Sequence, residues 1–105
     1  MKTAIPLPLD RIIEVCRKYD VTELSVFGSV LGEDFRPDSD VDFLVTFRPD
    51  ADLGPWMCRF FDLQDELAAL TGRPVDLVER PAVEKSRNPI RKRSILASAE
   101  VLYAS

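Results

Sequence analysis

The chain has 105 residues, 46% apolar and 30% charged, a composition typical of a globular protein that can bury its own core. Its formal net charge of −4 predicts no general attraction to nucleic acid, and the lack of histidine excludes Ser-His-Asp, Cys-His and histidine–zinc chemistry. Since no apolar segment is long enough for a membrane span or a secretion signal, we expect one soluble, cytoplasmic domain over residues 1–105.

The first half of the chain predicts one helix and two strands. The helix is capped by Asp10 or a neighbour and extends to about Tyr19, because apolar residues recur on one face at helical spacing. Residues 22–27 alternate as a short strand that stops at Gly28, and a helical turn and a polar loop follow. Residues 40–47 form the clearest strand. Its apolar face consists of Val41, Phe43, Val45 and Phe47.

The second half predicts a helix, a strand and a last helix. Pro55 and Gly72 bound the first of these helices, and residues 75–78 form the strand. Asn88-Pro89 opens the last helix, which is expected to continue to about Tyr103. The buried stripe of the first helix is expected to comprise Trp56, Phe60, Leu63, Leu67 and Leu70, with a partner contact as the alternative for Trp56. Cys16 and Cys58 are expected to be reduced and buried.

The Gly28-Ser29 pair is a candidate phosphate-binding turn. It lies between a predicted strand and a helical turn, where backbone N–H groups converge and the Ser29 hydroxyl can donate to a phosphate oxygen. No Gly-Lys-Ser/Thr sequence follows, so it is not a Walker A loop. The alternative is an ordinary turn in which glycine supplies a positive φ angle.

Asp40 and Asp42 are a candidate magnesium site. Two carboxylates at i and i+2 of a strand point to one face, where they repel each other unless a cation or a proton intervenes. Carboxylate oxygens are ligands that Mg²⁺ prefers. The alternative is a solvated strand face or a loop-capping pair.

Asp76 is the third acidic candidate, because it is the only charge in the apolar run of residues 75–78. By itself it is equally consistent with an edge-strand charge that prevents aggregation. If its strand lies beside the strand of Asp42, three carboxylates meet, as in two-metal phosphoryl or nucleotidyl transfer.

The Gly28-Ser29 turn, ten further residues, the Asp40-x-Asp42 pair and the later Asp76 together resemble the minimal nucleotidyltransferase domain of the DNA polymerase β superfamily. The resemblance extends over nearly the whole chain, and its last third is similar to small prokaryotic members that act as antitoxins of HEPN-type ribonuclease toxins. It implies a two-layer α+β fold in which a small mixed sheet packs against helices.

The resemblance also implies a role for each motif residue. Asp40, Asp42 and Asp76 would be the catalytic residues and the ligands of two Mg²⁺ ions, and Asp76 would also help to deprotonate the acceptor hydroxyl. Gly28 and Ser29 would hold the β- and γ-phosphates of ATP. The acceptor, a toxin tyrosine in the antitoxin members, would attack the α-phosphorus and expel pyrophosphate, so that AMP is attached to the toxin.

One segment departs from this pattern. Many members carry an arginine where this chain has Val30 and Leu31. Either that phosphate contact is missing or Arg36 supplies it, so Arg36 joins the nucleotide-binding candidates. The expected assembly is a cytoplasmic hetero-oligomer with a HEPN-type toxin, without membrane association or direct nucleic-acid binding.

Two other functions stay open at this point. The protein could neutralise a partner by forming a complex without chemistry, or it could transfer a nucleotide to a small molecule, for which so short a chain leaves little room. A basic run near the last helix is either a solvated turn or a surface for a triphosphate or an acidic partner. Its members are Lys85, Arg87, Arg91, Lys92 and Arg93.

Overall fold

The computed structural model describes residues 7–28 and 40–104. Its helices and strands are, in chain order, α1 (Leu9–Lys18), β1 (Val21–Phe27), β2 (Val41–Phe47), α2 (Cys58–Thr71), β3 (Val75–Glu79), α3 (Arg80–Glu84), α4 (Pro89–Ser98) and β4 (Glu100–Ala104). A 3₁₀ turn, Pro55–Met57, precedes α2.

The four strands form one mixed sheet in the order β3-β2-β1-β4. The two central strands, β1 and β2, are antiparallel to each other, and β4 adds antiparallel to the free edge of β1. The other edge is parallel, since β3 follows β2 after the long crossover through α2. This arrangement confirms the predicted α+β fold with a small mixed sheet packed against helices.

The larger core lies between one face of the sheet and the helices α1 and α2. Ile12 and Cys16 of α1 and Leu63 and Leu67 of α2 are fully buried there. The predicted apolar face of β2 meets them, with Val41, Phe43 and Val45 fully buried. Burial raises the pKa of the Cys16 thiol to about 12, so this thiol stays protonated and unreactive.

A smaller core lies on the opposite face of the sheet. Phe27 and Leu44 contribute from β1 and β2, and Val83 and Ile95 contribute from α3 and α4. Helices α1 and α2 therefore pack on one face of the sheet, and α3 and α4 contact the other face through this smaller core. Leu44 lies two residues after Asp42 on the same strand face, so this smaller core holds α3 and α4 on the face that carries Asp42.

The end of the chain corrects the predicted last helix. Asn88 does begin the helix, because its side chain accepts a hydrogen bond from the Arg91 amide at 3.1 Å. The helix ends at Ser98, however, and residues up to Ala104 form β4, where Tyr103 pairs with Leu24. The unpaired backbone edge of β1 accounts for this outcome, since β4 satisfies its hydrogen bonds.

The start of α2 corrects the predicted burial of two residues. Trp56 is 95% exposed, and Cys58 is exposed as well. Trp56 and Met57 both have left-handed backbone angles, with φ of 58° and 55°. Because these angles interrupt the helix before Cys58, the Trp56 side chain does not join the stripe that Leu63 and Leu67 form.

Two smaller corrections concern local structure. Asp10 lies in the first turn of α1 rather than at its cap, since Pro8 occupies the cap position and no side chain caps the helix. The expected basic loop begins instead with the short helix α3, for which Pro81 at the first turn is favourable. In the residues that the structure describes, no helix has the length and apolar character needed to cross a membrane.

Candidate active site

The acidic pair lies at the beginning of β2. Asp40 is exposed and directly precedes the strand, and Asp42 is half-buried as its second residue. Asp42 alternates with the fully buried Val41 and Phe43, so its side chain faces away from the larger core. The sequence prediction for the face of Asp42 is thus confirmed.

The parallel pairing of β2 with β3 brings the third aspartate to this pair. Asp42 is the register partner of Asp76, and Asp76 is exposed. Partners in register place their side chains on the same face of a sheet, and neighbouring strands lie roughly 4.8 Å apart. The edge strand that carries Asp76 therefore sets a second carboxylate beside Asp42.

Electrostatics show that this proximity has a cost. The pKa of Asp42 rises from 3.8 to about 6, first because burial disfavours the charged carboxylate and then because the charges of Asp76 and Asp40 repel it. The charge of Arg91 acts in the opposite direction. A carboxylate that is half-buried among two others is stabilised by a cation, which is the physical requirement of a metal site.

Gly28 closes the site on the side of β1. It directly follows Phe27, the register partner of Asp42, and has a φ of +80°. A Cβ atom at this position would lie 2.5 Å from the Asp42 Oδ2 atom. Glycine is therefore required for the conformation of the backbone and also for the close approach of the Asp42 carboxylate.

The described carboxylates fit Mg²⁺ in their chemistry. Mg²⁺ is commonly held by one or two carboxylates together with substrate phosphates, and Asp42 and Asp76 supply such oxygens side by side. Within residues 7–28 and 40–104, no three acidic, histidine or cysteine side chains converge closely enough to hold a metal by themselves. Of the three predicted carboxylates, the sheet register pairs Asp42 with Asp76, and Asp40 lies just before β2.

Two predicted nucleotide-binding residues, Ser29 and Arg36, lie outside the described residues. The structure adds Arg91, which the sequence placed only in a basic run of open purpose. Arg91 lies on the first turns of α4, near enough to Asp42 to affect its pKa. Its spacing from the Asn88-Pro89 start was visible in the sequence, but the packing of α4 against the sheet was not.

Comparisons of the sequence with known proteins identify a family and several relatives. A family model described as a nucleotidyltransferase domain matches residues 9–102. The protein adenylyltransferase MntA of Thermococcus cleftensis is 37% identical over 71 residues, which cover 68% of each chain. MJ0128 of Methanocaldococcus jannaschii, provisionally named a protein adenylyltransferase, is 38% identical over 78 residues, 74% of this chain and 72% of that protein.

Solved structures show the same fold. One, provisionally described as a minimal nucleotidyltransferase, has a TM-score of 0.66 and 27% identity, covering 88% of this chain and 86% of the other. A toxin–antitoxin complex with AMP-PNP has a TM-score of 0.68 and 20% identity, and the match covers 94% of this chain and 75% of the other. A tri-AMPylated HEPN toxin from Shewanella oneidensis in complex with its MNT antitoxin has a TM-score of 0.59 and 20% identity, covering 92% and 70%.

The family match spans nearly all of the described chain, and its relatives by sequence and by fold agree with each other. The chain belongs to the nucleotidyltransferase domain family and is a nucleotidyltransferase.

Proposed function

We propose that this protein is a Mg²⁺-dependent antitoxin that transfers AMP from ATP to a hydroxyl, a tyrosine hydroxyl in our proposal, of a HEPN-type ribonuclease toxin. The observation that carries the proposal is the pairing of Asp42 with Asp76 beside the close approach of Gly28. The names of the relatives support protein AMP transfer, and the Shewanella oneidensis complex supports a HEPN toxin as the acceptor.

In the proposed mechanism the three aspartates and the Gly28-Ser29 turn have different tasks. Asp40, Asp42 and Asp76 would hold the metal, and Gly28 with Ser29 would hold the β- and γ-phosphates. When bound, Mg²⁺ neutralises phosphate charge and lowers the pKa of the acceptor hydroxyl. Asp76 accepts the proton of that hydroxyl as its oxygen forms a bond to the α-phosphorus. The bond between the α-phosphorus and the bridging oxygen breaks, and pyrophosphate leaves.

Asp76 suits the proton-accepting role because of its exposure. It lies on the edge strand β3, and its side chain is open to solvent, whereas Asp42 is half-buried between β1 and β3. An incoming partner hydroxyl can therefore reach Asp76 without displacing the core. The proposal places the reaction in the cytoplasm, where ATP is available.

The test is transfer of labelled AMP to the HEPN-type protein with which this chain forms a complex. The wild type with Mg²⁺ and ATP is expected to add the mass of AMP to that partner, and Asp42→Asn and Asp76→Asn are expected to lose at least a hundredfold in rate, since each removes a metal-binding charge. Asp65→Asn, an exposed aspartate on α2, is the matched control and should keep the wild-type rate. Absence of transfer by the wild type would refute the proposal.

The same experiment separates transfer from neutralisation by complex formation. A double variant, Asp40→Asn with Asp42→Asn, removes two of the three carboxylates and leaves the exposed surface around Trp56 unchanged. If ribonuclease activity of the partner is still fully suppressed by this variant, binding alone accounts for neutralisation. We expect suppression to be lost together with AMP transfer.

A further inference from the structure

The cations at the start of α4 point to different sides of the molecule. Between Lys85 and Ala99 five side chains are cationic and none is acidic. Arg91 lines a cavity of about 190 Å³, whose other walls are Val78, Ala82, Val83 and Ser86. Lys92 and Arg93 instead line a groove with Pro89, Leu96 and Ala97. Successive helix positions lie about 100° apart, so only part of a basic run can face one site.

The cavity of Arg91 lies on the acidic face of the sheet. Its wall residue Val78 follows Asp76 by two positions on β3, so the two side chains share one face. The helix that carries Arg91 packs on this same face, because Ile95 of α4 lies in the smaller core with Leu44, which follows Asp42 by two positions on β2. The Arg91 side chain therefore lies on the face of the sheet that carries the paired carboxylates and lines a space that a ligand can enter.

Local hydrogen bonds hold Arg91 in this position. The Ser86 Oγ atom accepts from the Asn88 amide at 3.2 Å, and the Asn88 Oδ1 atom accepts from the Arg91 amide at 3.1 Å. These bonds set the point where α4 begins, and Ile95 anchors the same helix in the smaller core. The side of α4 on which Arg91 lies thus follows from the start of the helix.

The position of Arg91 is electrostatically unfavourable for the helix alone. A cation in the first turns opposes the helix dipole, and the salt bridges among the described residues join other pairs: Lys18 with Glu66, and Arg80 with Glu23 and Glu84. An anion bound in the cavity would offset this cost. A nucleoside triphosphate stays anionic when Mg²⁺ is bound. Its phosphates can therefore contact the Arg91 guanidinium, while the bound Mg²⁺ is held by the neighbouring aspartates.

We infer that the Arg91 guanidinium is a nucleotide-binding group that contacts the phosphates of the triphosphate, with the cavity between α3, α4 and β3 as its binding subsite. This inference rests on the proposed function, because it uses the same nucleotide and the same metal face. It also separates the basic run into a nucleotide contact, Arg91, and outward-facing cations represented by Arg93.

The test is binding of Mg²⁺ with AMP-PNP, measured by calorimetry without any partner or turnover. Arg91→Ala is expected to weaken AMP-PNP binding by about tenfold to a hundredfold, the usual effect of losing a hydrogen bond to a charged group. Arg93→Ala removes an equal charge from the same helix and should change the affinity less than twofold. Arg91→Lys should fall between the wild type and Arg91→Ala, since lysine keeps the charge without the bidentate geometry.

Two further ligands locate the contact. Adenosine lacks phosphates, so the wild type and Arg91→Ala should bind it with equal affinity. The affinity for pyrophosphate should fall in Arg91→Ala as the affinity for AMP-PNP does. Thermal unfolding without nucleotide verifies that each variant is folded. If Arg91→Ala does not fold, the affinity of Arg91→Lys for AMP-PNP is compared with that of the wild type instead.

Several outcomes would overturn the inference. Equal losses in Arg91→Ala and Arg93→Ala would mean a general charge effect rather than a contact. Unchanged AMP-PNP binding in Arg91→Ala, with normal binding by the wild type, would overturn the Arg91 contact and leave the proposed function intact. Failure of the wild type to bind AMP-PNP with Mg²⁺ would overturn both.

Discussion

Replacement of Asp42 by asparagine should stabilise the metal-free protein while it removes catalysis. In the folded chain Asp42 is half-buried next to Asp76, and its pKa rises from 3.8 to about 6 because of burial and repulsion from Asp76 and Asp40. The ionised carboxylate therefore costs stability. Asparagine has almost the same shape and carries no charge, so Asp42→Asn removes the repulsion.

The magnitude follows from the pKa change. A difference of one pKa unit corresponds to about 1.4 kcal/mol, so a rise from 3.8 to about 6 corresponds to at most about 3 kcal/mol. Asp42 is partly open to solvent, which screens the repulsion, and the asparagine amide must also find hydrogen-bond partners. We therefore expect Asp42→Asn to raise the free energy of unfolding by about 1–2 kcal/mol at neutral pH.

The raised pKa of Asp42 also determines how the stability advantage of Asp42→Asn changes with pH. Above the folded pKa of about 6, Asp42 is ionised in the folded and the unfolded chain, and the wild type bears the full penalty. As the pH falls through about 6 toward 3.8, the folded protein takes up a proton that the unfolded chain does not, and the penalty declines. At about pH 4.5 the advantage of Asp42→Asn should be roughly a third of its neutral value.

Urea unfolding in the presence of EDTA measures this difference at about pH 7.5 and about pH 4.5. Asp65→Asn on α2 is the control, with a change expected within about 0.5 kcal/mol at both pH values. Added Mg²⁺ with ATP should stabilise the wild type more than Asp42→Asn, since a ligand stabilises the state that binds it. The reasoning fails if metal-free Asp42→Asn is no more stable than the wild type at neutral pH, or if its advantage is undiminished in acid.

Three further substitutions test the described geometry. Gly28→Ala should be less stable than Gly72→Ala by about 1–3 kcal/mol in thermal unfolding, and it should lose Mg²⁺–ATP binding. The reason is that a Cβ atom at Gly28 meets the Asp42 carboxylate, whereas Gly72 has a similar φ of +70° and open space around it. Equal effects of the two substitutions would contradict the close approach of Gly28 to Asp42. Leu67→Ala should lower the urea-unfolding free energy by about 2–5 kcal/mol, since Leu67 is fully buried, and a smaller loss would contradict its place in the core. Trp56→Ala should change the free energy of unfolding by less than about 0.5 kcal/mol, because the side chain is 95% exposed. A large decrease in this free energy would mean that Trp56 is buried, as the helical spacing predicts.

Local patterns were sufficient for most elements. Alternation along residues 41–47 identified β2 and the face of Asp42, because the period of a strand depends only on neighbouring residues. The Asn88-Pro89 start of α4 was likewise predictable from capping chemistry. The prediction failed at β4, whose strand conformation depends on the open edge of β1, and at Trp56, where two left-handed residues break the helical period.

By itself, the sequence determined the chemistry that is available: carboxylates, a Gly-Ser turn, several cations and no histidine. It also determined that Asp40 and Asp42 lie two residues apart at the start of a strand, since their spacing is local. Only the tertiary structure decided that Asp76 stands beside Asp42, that Gly28 approaches its carboxylate and that Arg91 rather than Arg93 faces the acidic side. The reason is that the register of a parallel strand pair and the packing of a helix depend on contacts between residues far apart in the chain.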